Sequence, residues 1–138
     1  MRMRYWTSII TVLIIGGVGY FLYSGQEIGD SYGGKSPQEV LDLFIDALDK
    51  GDINLAVKYL MPNESLSQEE WLKALQKLKE KELLDDMAVD LKRAVPDTDE
   101  SANESESRFI IKDNSGNIVS EINFQLDTRA NIWKIKEL

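Results

Sequence analysis

There is no cysteine and no histidine among these 138 residues, and only three prolines. Without cysteine the fold can neither need nor gain a disulfide, and no thiol is available for a lipid anchor. Without histidine the chain lacks the usual general base near neutral pH and the commonest metal ligand. Positive charge is also scarce: 16 Lys and Arg stand against 24 Asp and Glu, for a net charge of −8. Residues 35–138 hold 14 of the former and 22 of the latter and so carry the whole imbalance. Such a surface repels nucleic acid and anionic lipid headgroups, and solubility is the plain reading of its acidity. Nucleic acid is not an expected partner.

Charge is missing in a second place. Residues 5–23 contain none. As a helix rising about 1.5 Å per residue, that run measures roughly 28 Å, close to the ~30 Å hydrocarbon core of a bilayer. Tyr5 and Trp6 stand at one end, and Tyr20, Phe21 and Tyr23 at the other. Aromatic side chains favour the interface because they are part apolar and part wet. Arg2 and Arg4 precede the run, and no Lys or Arg follows until Lys35. The positive-inside rule then puts the N-terminus in the cytoplasm and the remainder outside it. A cleaved signal peptide would have a shorter apolar core and small residues at its exit, where this chain has the bulky GYFLYSG. The reading is a retained anchor over 1–24, with cleavage near Ser24 or Gly25 as the rival. Gly16, Gly17 and Gly19 do not form a GxxxG pattern, so helix pairing through them is not expected. Membrane lipid is the expected partner of this segment.

Residues 25–35, rich in Gly and Ser, read as a flexible linker. About 100 residues remain, which suits one small domain. Ser36, Pro37 and Glu39 make a capping box with proline at the first helical position. Val40, Leu41, Phe44, Ile45 and Leu48 then recur at helical spacing, and Gly51 ends the helix as a left-handed cap. Asp52 starts a short helix that turns Ile53, Ala56, Val57 and Leu60 inward and stops by Pro62. Ser67 and Glu70 open a third helix with Trp71, Leu72, Leu75 and Leu78 on its apolar stripe. Beyond it, Met87, Val89, Leu91 and Val95 alternate with Ala88, Asp90, Lys92 and Ala94, the period of a half-buried strand ending at Pro96. An acidic loop follows. Strands are then expected over 108–112, 118–126 and 132–136, joined by turns at DNSGN and DTRAN. Ile118, Ser120, Ile122, Phe124 and Leu126 would share one face of the long strand. The expected architecture of 36–138 is α+β: three helices on one side of a curved four-stranded antiparallel sheet.

The phrase PQEVLDLFIDALDKGDINLAVKYL resembles the first-helix signature of the nuclear transport factor 2-like superfamily, at Phe44, Ala47, Leu48, Gly51, Asp52 and Ala56. The ending IWKI at 132–135 is also similar. The resemblance spans 36–138 and implies a cone, with helices closing one sheet face and a pocket at the open end. It also suggests kinship with small bacterial surface proteins that carry such a domain behind a membrane anchor. Enzymes of that superfamily place Asp, Tyr or His in the pocket. No such constellation is visible here, so no catalytic residue, cofactor site or metal site is assigned.

Four aromatics, Tyr59, Trp71, Phe124 and Trp133, are the candidates for lining a pocket; Tyr59 leads because a buried hydroxyl needs a partner. The adjacent carboxylates Asp46 with Asp49 and Asp85 with Asp86 lie off the apolar stripes and read as solvated rather than as acid and base. Asp97, Asp99, Glu100, Glu104 and Glu106 lack the spacing and central Gly of a calcium loop and read the same way. Asn63-Glu-Ser65 and Asn103-Glu-Ser105 are glycosylation sequons, relevant only in a host with that machinery. The expected role is therefore a non-enzymatic, membrane-anchored domain that meets a protein partner or another copy of itself outside the cytoplasm. The alternative is binding or turnover of a small apolar ligand in the cone.

Overall fold

The first helix begins where the sequence places it. In the computed structural model, which describes residues 32–62, 66–98 and 103–138, α1 runs Pro37–Asp49. Ser36 Oγ accepts from the Glu39 N–H at 3.1 Å, and the Glu39 carboxylate accepts from the Lys35 N–H at 2.8 Å. Its far end is a Schellman cap: the Gly51 N–H donates to Leu48 O and the Asp52 N–H to Ala47 O, both at 2.9 Å. Gly51 sits at φ +67°, the left-handed conformation that costs other residues a Cβ clash. Asp52 caps α2, Ile53–Lys58, by accepting from the Leu55 N–H at 3.1 Å. The capping box of α3, Gln68–Glu80, is closed in both directions between Ser67 and Glu70.

The stretch read as a first strand is mostly helix. α4 spans Leu84–Leu91, and the strand that follows, β1, is only Val95–Pro96. The fold therefore has four described helices rather than three. Leu84, Ala88 and Leu91, at i, i+4 and i+7, are the buried residues, whereas Val89 is 57% exposed. A run in which every second residue is apolar satisfies both periods over so short a span. Tertiary burial of Ala88, a residue the alternation would have turned outward, decides for the helix. Asp85 and Asp86 lie in its first turn, where the helix dipole favours negative charge.

Three longer strands complete the sheet: β2 Glu106–Lys112, β3 Ile118–Asp127 and β4 Ile132–Glu137. The order is β1-β2-β3-β4 and every pair is antiparallel. The class is thus α+β, as expected. Phe109 pairs with Ile122, and Phe124 with Ile135, on the face that enters the core. The Phe109 and Phe124 rings meet edge to face at 4.9 Å, a favoured geometry for two quadrupoles. Helix α1 packs on α2, α4 and β4. Val40, Leu41, Phe44 and Leu48 are at most 1% exposed.

The two edges of the sheet are protected in different ways. On one side β1 is two residues long and contains proline. On the other, Gly34 and Trp133 exchange backbone hydrogen bonds at 3.1 and 2.7 Å. The chain leaving α2 then runs beside β4: the Ile135 N–H donates to Tyr59 O and the Met61 N–H to Ile135 O. That pairing ends α2 at Lys58, four residues before Pro62. The last residues of the segment read as a linker therefore lie on the domain, and 32–138 form one compact unit. The anchor, with Tyr5, Trp6, Tyr20 and Tyr23, falls outside the described residues, as does the sequon at Asn63. Among the described residues no helix is long and apolar enough to cross a membrane.

Two glycines fail for different reasons. A Cβ at Gly51 meets only the far end of the Lys79 side chain, at 4.0 Å, so Gly51→Ala is expected to cost about 1 kcal/mol, the left-handed penalty. A Cβ at Gly34 would lie 2.4 Å from Val40 N and 2.9 Å from Ser36 O, both backbone, so the start of α1 would have to move. Urea unfolding of the two variants should place Gly34→Ala well below Gly51→Ala in stability.

Candidate functional site

Three cavities among the described residues bring together no two of the four aromatics read as pocket candidates. Tyr59 is 7% exposed, and its ring meets that of Tyr32 edge to face at 6.4 Å. Lys58 Nζ sits 4.3 Å from the centre of the Tyr32 ring, a cation–π distance. Trp71 and Trp133 are half-buried against the core, and Phe124 is inside it at 1% exposure. Trp71 Nε1 is buried without a hydrogen-bond partner among the described residues. Only Phe124 borders a described cavity, the polar one at the ends of β2 and β4.

That polar cavity, about 410 Å³, is built from groups that neutralise one another. Asp97 follows β1, in a stretch whose composition reads as a solvated acidic loop. Its carboxylate is instead 5% exposed and held by the Arg108 guanidinium through Nε, at 2.9 Å, and Nη2. Such a fork-to-carboxylate pair is geometrically specific. The same guanidinium reaches Glu121 at 3.6 Å. Glu106, in β2 rather than in the loop, takes Lys136 at 3.8 Å and the Asn103 amide at 3.2 Å. Asn123 donates to Glu137 at 3.0 Å. The burial of Asp97 is invisible in composition, because a carboxylate in an acidic stretch looks solvated until Arg108 is folded beside it.

The carboxylate pairs likewise face water. Asp46 is bound by Lys50 at 2.7 Å, and Asp49 by Lys92 at 2.9 Å, all four side chains being largely exposed. Among the described residues no three carboxylates converge as a metal site would require. Lys134 is the one buried charged residue of the described set, at 3% exposure; its Nζ points to the Lys58 carbonyl at 3.4 Å, at the end of α2.

An apolar groove of about 550 Å³ lies between α4, the end of α3 and the β2–β3 hairpin. Leu78, Met87, Leu91, Ile111 and Ile122 form its floor. Two local devices shape its lips. At the end of α3 the Glu82 N–H donates to Lys79 O at 3.0 Å and the Leu83 N–H to Leu78 O at 2.9 Å. This is the Schellman pattern again, with the usual apolar partners, Leu83 and Leu78, on the groove. The residue in the left-handed position is Glu82, at φ +58°, where glycine would be unstrained. On β3 the pairing jumps from Ile111↔Ser120 to Lys112↔Ile118, leaving Val119 as the extra residue of a bulge. Strict alternation would put Val119 opposite Ser120; the bulge brings both to the groove. Leu83 is 39% exposed and Val119 61%. Neither residue stands out in the sequence, since a bulge has no fixed residue signature and Leu83 looks like one more helical leucine.

No protein-family model matches the chain, and no curated protein or solved structure matches it.

Burial, and then the neighbouring Tyr32, hold the ionisation of the Tyr59 phenol above its ordinary value near 10. The folded state thus prefers the neutral ring. That preference contributes fully below the ordinary value and is lost as pH rises through the raised one. Urea midpoints measured on either side of about pH 10 should fall with rising pH, and the fall should be shallower in Tyr59→Phe.

Proposed function

We propose that the protein is a single-pass membrane protein of the cell envelope, with a cytoplasmic N-terminus and a non-catalytic domain held outside the cytoplasm to engage a protein partner. One observation carries the reading: the uncharged run 5–23, bounded by Arg2 and Arg4 on one side only. The domain supports it in a second way. The charged groups of its polar cavity are engaged with one another, while Leu83 and Val119, two of its exposed large apolar side chains, lie at the groove lips. We also read 36–138 as a nuclear transport factor 2-like domain. What supports this is the signature from Phe44 to Ala56, whose Phe44, Ala47, Leu48 and Ala56 are core positions and whose Gly51 and Asp52 form a cap.

The groove also favours a second reading, binding of a small apolar ligand, because its volume falls within the usual range of roughly 300–1,000 Å³.

Protease added to the outside of intact cells should remove the domain of a C-terminally tagged full-length chain and leave an N-terminal fragment in the membrane fraction. A mature chain lacking residues 1–24, or a domain cut only by protease reaching it from the cytoplasm, would overturn the assignment.

A further inference from the structure

We infer that the groove between α4 and the β2–β3 hairpin is the docking site for an amphipathic basic helix of another protein, laid with its apolar stripe inward. This rests on the reading of the domain as a protein-binding module and names the chemistry of its partner. Three features of the groove argue for that occupant.

The first is shape. The groove is open along one side, and its lips are side chains that the fold leaves uncovered: Leu83 at 39% exposure and Val119 at 61%. A small molecule sunk on the floor would leave those lips wet. A helix lying across them covers floor and lips together, using anchors at i, i+3 or i+4, and i+7.

The second is strain spent on the lips. Glu82 adopts a left-handed conformation that disfavours every residue with a Cβ, and it thereby delivers Leu83 to the groove edge. The bulge interrupts the β2–β3 ladder to bring Val119 to the opposite edge. Neither residue is buried by the fold itself, so the fold gains little core from either device.

The third is charge. The ionisable residues lining the groove are Asp86, Asp90 and Arg93. Arg93 is engaged: its Nη2 donates to Lys112 O at 2.7 Å, and its Nη1 lies 3.9 Å from Asp90. An apolar floor with an acidic rim selects Lys or Arg on the flanks of the incoming helix and repels an acidic one.

The test uses the full-length chain in nanodiscs of zwitterionic phosphatidylcholine, with empty discs as blank. The probe is a fluorescent 14-residue peptide of leucines at helical spacing with lysines elsewhere; its control carries glutamates in place of the lysines. Fluorescence anisotropy should show the lysine peptide binding at least tenfold more tightly than the glutamate peptide. Asp86→Lys with Asp90→Lys should narrow or reverse that preference, and Val119→Glu should weaken the lysine peptide at least fivefold. These positions are exposed enough for the fold to tolerate change, and circular dichroism of each variant checks that it does. Equal binding of the two peptides, or indifference to all three substitutions, overturns the inference. So does a dimer that Val119→Glu dissociates, which would make the groove a self-association face. Saturable binding of a fluorescent fatty acid with no peptide binding overturns it in favour of a small ligand. A chain found free of the membrane that still binds the lysine peptide in this pattern would sink the location and leave the docking site standing.

Discussion

The fold of residues 32–138 hangs on the apolar stripe of α1. A 13-residue helix is marginal by itself in water, because nucleating it costs more than its few hydrogen bonds return. The sheet is no better off alone, having one face of Phe109, Ile111, Ile122, Phe124 and Ile135 that water would wet. Joining the two removes both problems, at roughly 1.5–3 kcal/mol for each large apolar side chain fully buried. Val40, Leu41, Phe44 and Leu48 are the side chains that do this, and α2, α4 and β4 are arranged around them.

From that centre the edges follow. The chain before α1 reaches β4 at Gly34, where only a residue without a Cβ fits between Trp133 and the first turn of the helix. After α2 it returns to the same strand at Tyr59–Met61. These two contacts satisfy backbone groups that an exposed edge would offer to any passing strand. At the opposite edge, β1 is held to β2 by Asp97 on Arg108 as well as by its short ladder. A buried pair of this kind adds geometric definition more than net stability, since both ions give up water to form it.

The polar cavity and the apolar groove differ in what they ask of a partner. In the polar cavity each described charge already has an opposite charge or an amide beside it, so an incoming ion would have to displace an existing partner. In the groove the uncovered surface is apolar and gains directly from being covered. A partner thus gains more at the groove, although the polar cavity holds more of the residue types associated with chemistry.

Much of the helical half was legible before any fold was known. Ser36, Gly51, Asp52, Ser67 and Glu70 mark helix ends through local hydrogen bonds that need nothing from the rest of the molecule, and all five act where expected. The 3.6-residue spacing of Val40 to Leu48 and the turn at Gly116, φ +84°, are local in the same sense. What lay beyond reach was decided by contacts between distant segments. Met87 to Val95 fits two periods, and only the burial of Leu84, Ala88 and Leu91 selects the helix. Asp97 becomes a buried ion only when Arg108, eleven residues on, is folded against it. Val119 reaches the groove because the register of β3 on β2 slips by one residue, a matter of pairing rather than of the valine itself. Residue types and spacing determine elements whose hydrogen bonds close within a turn or two; tertiary packing decides those whose partners are far away along the chain, and the groove belongs to the second kind.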